Sequence, residues 1–239
     1  MTKELTIVRH GQAQHNPRAE AAHEKGCTMK EFIALMREDD VLDAPLTDFG
    51  KEQATSARLA RDRASSIQLV VSSTLSRAIE TADRVIPPSP TEHTRVCSEL
   101  FREVNGDMLN VKRRTRSELI GSFPDWNFDD VEEEDVLWTP VMEDLDLVAE
   151  RGYLGLKWLM ERPEEKILLV SHGGILKYMM ERQPQIVLKD ERSESGRKPV
   201  DSRFDNCEIR CYKLEWVDDE GHHDGSKRSL SLTQVDNYT

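Results

Sequence analysis

The segment Thr6-Ile7-Val8-Arg9-His10-Gly11 constrains the fold more than any other part of the chain. A short β-branched run is typical of a buried parallel strand, and here it ends in Arg-His-Gly. Open α/β folds bind ligands at the carboxyl ends of such strands. There an arginine can hold an oxyanion with its planar guanidinium group, and a histidine can act as a nucleophile. The segment therefore predicts a strand that delivers Arg9 and His10 to an anion site.

Two further strand-to-helix junctions carry residues of the same kind. The apolar run 167–170 is followed by Ser171-His172-Gly173-Gly174, and an apolar helical pattern begins directly afterwards. The run 69–73 leads into a helix whose first turn holds Arg77, where backbone N–H groups also point outward. Together the three strand ends supply two imidazoles and two guanidinium groups. This set is suited to holding a phosphate dianion while a histidine attacks phosphorus.

These segments resemble the histidine phosphatase superfamily, also called the phosphoglycerate mutase-like family, over most of the chain from about residue 5 to about residue 213. The stretches that carry the resemblance follow the family order: Arg9-His10-Gly11 with Asn16, then 43–54, which is similar to D-x-P-L-T-x-x-G-x-x-Q-A, then 72–82, then the L-x-E-like 100–103, and finally 170–174. The resemblance implies the phosphoglycerate mutase-like fold, a three-layer α/β/α sandwich with a mainly parallel sheet.

The resemblance also implies a mechanism, with catalytic roles for His10, Glu103 and His172. His10 attacks phosphorus and becomes a phosphohistidine, while Glu103 protonates the leaving oxygen and then activates water. The phosphate-binding residues that it implies are Arg9, Asn16, Arg77 and Gly173. Most of the catalysis is then positioning and electrostatics. This chemistry requires no metal and no other cofactor, and the expected partner is a small phosphorylated substrate.

Some of these side chains have other interpretations when their own surroundings in the sequence are considered. Asn16 is also suited to cap a turn. Glu103 follows Arg102 directly, so an ion pair at the surface is an alternative to catalysis. We expect His15 and His23 to be exposed polar residues.

Composition narrows the functional classes. The chain has 239 residues, enough for one large core, and a formal net charge of −12, which disfavours nucleic-acid binding. No apolar run approaches the ~20 residues of a membrane span, and the first strand starts too early for a cleaved signal to precede it. Four cysteines without paired zinc spacing indicate reduced thiols. We therefore expect a cytoplasmic enzyme. The sequence indicates neither the oligomeric state nor the particular substrate.

Alternating β and α patterns predict a mainly parallel sheet with helices on both faces. The predicted strands lie near 5–9, 67–71, 94–97, 167–171 and 208–216. The predicted helices lie near 29–37, 48–63, 74–86, 141–162 and 174–182. We expect a single domain over 1–217, with insertions at about 17–44 and 105–140 and a polar segment over 182–205. Residues 218–239 are polar and charged, which predicts a frayed C-terminal tail.

The second insertion contains a basic run at 112–116 and an acidic run at 129–135. One hypothesis is that the two runs pair with each other in a solvated loop. The other is that basic side chains reach over the site and bind a second anionic group of the substrate. The segment 203–210 looks like one found in fungal and plant members of the family, and the sequence suggests no chemical role for it.

Three functions stay open at this point. A metal-independent phosphomonoester hydrolase transfers the phosphoryl group from His10 to water, and a cofactor-dependent phosphoglycerate mutase transfers it to a rebound intermediate. The mutase branch usually carries a Gly-Trp-x-Asp segment before the leucine-threonine motif, and the region ending at Asp43 lacks the Gly-Trp, which favours the hydrolase. The third possibility is a non-catalytic scaffold that binds phospho-ligands.

Overall fold

The computed structural model describes residues 2–87, 93–191, 201–218 and 228–236. These residues form one sheet with the strands Thr2–Arg9 (β1), Leu69–Ser73 (β2), Thr94–Ser98 (β3), Lys166–Ser171 (β4), Ile186–Asp190 (β5), Ile209–Asp218 (β6) and Arg228–Val235 (β7). The α-helices are Pro17–Glu24 (α1), Met29–Glu38 (α2), Asp48–Ser56 (α3), Arg61–Ser66 (α4), Ser76–Val85 (α5), Arg116–Ser122 (α6), Leu145–Glu161 (α7) and Gly173–Arg182 (α8). Two short 3₁₀ helices span Glu99–Phe101 and Leu109–Val111.

The strand order is β3-β2-β4-β1-β6-β7-β5, and the predicted mainly parallel sheet is confirmed. The neighbours β3, β2, β4 and β1 all run parallel, and β6 pairs antiparallel with both β1 and β7. Because β2, β4 and β1 are adjacent and parallel, their carboxyl ends meet at one edge of the sheet. Arg9 lies directly opposite Ser171 in the register of β1 and β4.

The two faces of the sheet bury separate apolar clusters, because successive strand residues point to opposite sides. Leu5 and Ile7 of β1 pack in one cluster with residues of α7 and α8, such as Leu156. Val8 belongs to the other cluster, where it joins residues of α5 such as Ile79. Helices on both faces of one sheet give the predicted α/β/α sandwich.

The predicted helix over 48–63 is broken in the structure. Asp48–Ser56 and Arg61–Ser66 are separate helices, with residues 57–60 between them. The break follows a tertiary contact: the Leu59 N–H donates to the Val85 carbonyl of α5 instead of to its own preceding turn. Leu59 also packs against the α5 side of the core. The local helical pattern gives no sign of this contact.

The expectation of a frayed tail over 218–239 is wrong for its second half. Residues 228–235 form β7, which pairs with β6 on one side and β5 on the other, so the domain extends past residue 217. The prediction is wrong because this strand carries many polar side chains, which are typical of an exposed tail. Ser231 and Thr233 are buried, and their hydroxyl groups lie 3.2 Å apart in hydrogen-bonding contact. Residues 219–227 lie outside the described residues.

The predicted polar segment over 182–205 also contains a strand. Ile186–Asp190 forms β5 at the edge of the sheet, where alternate residues are exposed, and a half-buried edge strand of five residues gives a weak pattern. Residues 192–200 lie outside the described part of the chain.

Replacing Leu232 by Ala tests the integration of β7 into the core. Leu232 is fully buried, so we expect the free energy of unfolding to fall by about 2–5 kcal/mol, as for other buried leucines. Val187→Ala, at an exposed position of the neighbouring β5, should cost less than about 1 kcal/mol. Urea unfolding of both variants measures the difference, and equal small losses would argue against a structural β7.

Candidate active site

The strand ends bring the two predicted histidines together. His10 follows β1, His172 follows β4, and their ring centroids are 4.9 Å apart in an edge-on arrangement. Both side chains are buried. His172 Nε2 lies 2.7 Å from the Ser73 hydroxyl at the end of β2, and its Nδ1 atom is buried without a partner in the described residues.

Arg77 reaches the same point from the first turn of α5. Its side chain is fully buried, Nε donates to His10 Nε2 at 3.3 Å, and Nη1 donates to the Asn110 carbonyl at 2.7 Å. Burial lowers the pKa of Arg77 to about 10, so the guanidinium group keeps its charge at neutral pH. The convergence of the three strand ends, predicted from sequence, is observed.

The hydrogen bonds of His10 define its tautomer. Nδ1 lies 2.6 Å from the Gly11 carbonyl, which can only accept, so Nδ1 carries the proton. Nε2 receives a hydrogen bond from Arg77 and therefore presents a lone pair. Burial first, and then the charges of Arg77 and Arg9, lower the pKa of His10 well below its ordinary value. At neutral pH the ring is neutral, with an unprotonated Nε2.

The Arg9 side chain is held by two contacts. Nη1 donates to the Phe204 carbonyl at 2.9 Å, and Nη2 contacts Glu20 Oε1 of α1 at 3.2 Å. Nε is buried and has no partner among the described residues. A Cβ atom on Gly173 would lie 3.3 Å from this Nε, so a glycine at this position leaves room for the guanidinium group.

Glu103 lies against the N-terminal turn of α8. Its carboxylate accepts the N–H groups of Gly174 and Ile175, each at 3.0 Å, and that of Val104 at 2.8 Å. A Cβ atom on Gly174 would collide with Glu103 Oε1, so this glycine is required for the approach. The alternative of a surface ion pair with Arg102 is not what the structure shows.

Arg151 of α7 holds the backbone that carries Glu103. Its guanidinium group donates to the carbonyls of Arg102 at 2.8 Å and Glu103 at 3.0 Å, and it pairs with Glu143. Arg151 is therefore a positioning residue for Glu103. It lies 48 residues away in sequence, and no local pattern indicated this role.

The insertion at 105–140 folds onto the site through buried ion pairs. Asp135 accepts two hydrogen bonds from the fully buried Arg102, at 2.7 and 2.8 Å. Arg113 pairs with Glu99 at 2.6 Å, and it also donates to the carbonyls of residues 132–134 in the acidic run. The two runs therefore contact each other, as one hypothesis expects, and Arg116 pairs with Glu133 at 3.6 Å. The loop is not solvated throughout, because the side chains of Arg113 and Asp135 are buried.

Asp43 caps the helix that carries Arg77. Leu75 at the N-cap position of α5 makes no side-chain cap hydrogen bond, and Asp43 accepts the Ser76 N–H at 2.9 Å in its place. Its carboxylate also pairs with Arg114 at 3.1 Å. Burial raises the pKa of Asp43. Its φ of 46° belongs to the left-handed region, which aspartate tolerates better than most residues.

Asn16 and His15 are both buried. Asn16 Oδ1 accepts the Ala13 N–H at 3.0 Å, which closes a turn, and Nδ2 lies 3.2 Å from His15 Nε2. The turn-capping interpretation of Asn16 is therefore observed, and its contact with phosphate stays a prediction. The expectation that His15 is exposed is wrong, because its ring fills the space beside Asn16. His23, on the outer face of α1, is exposed as expected.

The segment 203–210 acquires a structural role. The Asn206 side chain donates to the His10 carbonyl at 3.0 Å, and the Cys207 N–H donates to the Arg9 carbonyl at 3.0 Å. With the bond from Arg9 to the Phe204 carbonyl, three contacts hold the Arg9–His10 backbone and side chain. The sequence alone suggests no role for this segment, because its partners lie almost 200 residues away in the chain.

Within the described residues, no group of three or more His, Cys, Asp or Glu side chains is arranged to hold a metal ion. The four cysteines form no disulfide. No helix in the described ranges is long and apolar enough to cross a membrane.

Residues 5–194 match the family model of the histidine phosphatase superfamily, branch 1. The chain belongs to this superfamily. The resemblance drawn from the sequence motifs is thereby confirmed.

Similar members of the superfamily include two proteins of Arabidopsis thaliana. Phosphoglycerate mutase-like protein 1 is 30% identical, with coverage of 87% of this chain and 79% of the relative. A phosphoglycerate mutase-like protein is 28% identical, with coverage of 87% of this chain and 83% of the relative.

Among solved structures, mycobacterial hydrolase 2 has a TM-score of 0.54 at 22% identity, with coverage of 97% of this chain and 89% of that structure's chain. A mycobacterial glucosyl-3-phosphoglycerate phosphatase has a TM-score of 0.50 at 21% identity and coverage of 90% and 92%.

The contact between Gly174 and Glu103 generates a prediction for this histidine phosphatase. Gly174→Ala should displace the Glu103 carboxylate and reduce the rate of phosphate release by about 10²- to 10⁴-fold, the usual contribution of general acid–base catalysis. Gly121→Ala is the control, because a Cβ atom at that helical position meets nothing within 4 Å. Steady-state assays with an aryl phosphate compare the two. A Gly174→Ala variant as active as Gly121→Ala would contradict a role for Glu103 at this place.

Proposed function

We propose that this protein is a phosphomonoester hydrolase that acts through a phosphohistidine intermediate on His10. The observation that carries the proposal is the buried, neutral His10, whose unprotonated Nε2 faces the Arg77 guanidinium group at 3.3 Å. A nucleophilic imidazole needs a lone pair, and an anionic phosphoryl group needs a cation beside that lone pair. His10 and Arg77 provide both at one point.

The charge of the site fits a phosphate monoester. The pKa values of His10 and His172 are lowered well below their ordinary range, chiefly by burial, so both rings are neutral at pH 7. The guanidinium groups of Arg9 and Arg77 are then the cations, and a phosphate monoester carries about −2 at this pH. A bound phosphate would also supply partners for the buried Arg9 Nε and His172 Nδ1, which otherwise have none in the described residues.

The reaction takes two steps in this proposal. His10 Nε2 attacks phosphorus, and the bond from phosphorus to the ester oxygen breaks. The leaving oxygen keeps the electron pair of that bond and receives a proton from Glu103. Water then attacks the phosphohistidine, its proton passes to Glu103, and the N–P bond breaks to release inorganic phosphate and restore His10. Positioning and cationic stabilisation by Arg9 and Arg77 lower both barriers.

In the second step Glu103 accepts a proton from water, and the hydrogen bonds of its carboxylate suit this role. Its partners are three N–H donors, and a carboxylate accepts from all of them without losing any contact. For the first step Glu103 has to carry the proton that it donates to the leaving oxygen. The carboxylate is held at the N-terminus of α8, and the N-cap residue of this helix is His172, whose ring centroid is 4.9 Å from that of His10.

The paired basic run favours the hydrolase over the mutase. A phosphoglycerate mutase must hold a sugar-acid carboxylate, and the basic side chains of 112–116 are the candidates for this second anionic group. Arg113 is buried in an ion pair with Glu99, Arg114 pairs with Asp43, and Arg116 pairs with Glu133. Lys112 Nζ lies 4.5 Å from the centroid of the Trp138 ring. The name of the solved glucosyl-3-phosphoglycerate phosphatase agrees with hydrolysis, while the Arabidopsis relatives are named mutase-like. A complete set of site residues argues against a non-catalytic scaffold.

Replacing the nucleophile tests the phosphohistidine. His10→Ala should reduce turnover by at least about a thousandfold and leave the fold intact, because His10 is the imidazole that Arg77 hydrogen-bonds among the described residues. Rapid-quench labelling with a radioactive substrate, in the presence of EDTA, should place phosphate on His10 of the unmodified enzyme. His23→Ala, at an exposed position, is the control for losing a histidine. Label on a serine, or turnover that disappears with EDTA and returns with a divalent metal, would overturn the mechanism.

A direct comparison of two products separates hydrolysis from isomerisation. We expect the enzyme to release inorganic phosphate from an aryl phosphate and from 3-phosphoglycerate, without stimulation by 2,3-bisphosphoglycerate, because the basic run is occupied by internal pairs. Phosphate and 2-phosphoglycerate are measured in the same tube. Isomerisation a hundredfold faster than hydrolysis would establish the mutase instead.

A further inference from the structure

His15 has a hydrogen-bonding arrangement that the proposed mechanism does not use. Asn16 Oδ1 accepts the Ala13 N–H at 3.0 Å, which fixes the orientation of the amide, since the opposite orientation would set two donors against each other. The amide nitrogen Nδ2 therefore faces His15 Nε2, at 3.2 Å, and donates to it. His15 Nε2 must be the unprotonated nitrogen of its ring.

The proton of the neutral ring is consequently on Nδ1. This Nδ1–H group is buried, and it has no hydrogen-bond partner in the described part of the chain. Buried polar groups without partners are rare in folded proteins, and each one calls for an explanation such as a ligand. The side chain as a whole is only 3% exposed, so bulk solvent does not supply the missing partner.

The surroundings of His15 place it in the same cluster as the phosphate-binding groups. After burial, the charges of Arg77 and Arg9 are what lower the pKa of His15, and these guanidinium groups also act on His10. His15 in turn lowers the pKa of both His10 and His172. His15 thus lies within electrostatic range of the four side chains that surround the proposed phosphate position, and its protonated form is disfavoured there.

We propose that the Nδ1–H group of His15 donates a hydrogen bond to an oxygen of the bound phosphomonoester, which makes His15 a further substrate-binding residue. This inference rests on the proposed function, since it places the same phosphate ester in the same site. A neutral donor suits this position, because Arg9 and Arg77 already bring positive charge to it. Asn16 then acts through His15 by holding the ring in the Nδ1–H tautomer.

The tautomer and the contact can be tested together by NMR of protein labelled with ¹⁵N-histidine, with the His15 signals assigned by their absence in His15→Leu. We expect a protonated Nδ1 and an unprotonated Nε2 in the free protein. Addition of inorganic phosphate should shift the Nδ1–H resonance and slow its exchange with water. A protonated Nε2, or an Nδ1–H resonance that saturating phosphate leaves unchanged, would overturn the inference.

Calorimetric titration with inorganic phosphate adds an affinity measurement. His15→Leu should bind phosphate about 10- to 100-fold more weakly than the unmodified protein, the effect of losing one hydrogen bond to a charged group. His15→Asn, whose amide nitrogen can take the place of Nδ1, should recover part of the loss, and His23→Leu should bind as tightly as the unmodified protein. Equal affinity in His15→Leu would overturn this inference alone. Failure of the unmodified protein to bind phosphate would overturn the proposed function, and this inference with it.

Discussion

Parallel pairing of β1 with β4, and of β4 with β2, is the constraint on which the rest of the structure depends. Parallel strands end on the same side, so the residues after each strand meet without any further arrangement. The register places Arg9 opposite Ser171, and His10 and His172 therefore follow at the same level. A shift of one residue in this register would exchange the buried faces of β1 and turn its apolar side chains away from their clusters.

The two buried arginines differ in how the fold compensates their charge. Arg102 and Arg77 are both fully buried, and an unpaired charge in such a place is costly. Arg102 is neutralised by Asp135 and Glu99 and so ties the insertion to the sheet. Arg77, in the described residues, forms no ion pair and donates to neutral acceptors on His10 and Asn110. A buried cation with neutral partners is available for an anionic ligand, and its desolvation makes that ligand bind more strongly.

The sequence was sufficient for the parallel sheet and for the meeting of His10, Arg77 and His172, because strand ends are marked by local patterns and their convergence follows from topology. The predictions from sequence are wrong where long-range contacts override the local pattern. The polar strand β7 is buried because its hydroxyl groups find partners inside the sheet. His15 is buried because Asn16 holds its ring, although the surrounding residues are polar. Neither contact leaves a periodic signal in the chain.

The positions of Arg9 and His10 depend on residues near the other end of the chain. Cys207 and Asn206 donate hydrogen bonds to the backbone carbonyls of Arg9 and His10, and β6, which begins at Ile209, pairs with β1 along seven residues. The contact between Asn206 and His10 closes a loop of 196 residues. Closing such a loop carries a large entropic cost before the contacts can form. The strands β1, β2 and β4 bring the imidazoles and guanidinium groups to one edge of the sheet. Their final geometry requires β6, and therefore the site is completed only when the C-terminal part of the sheet has formed.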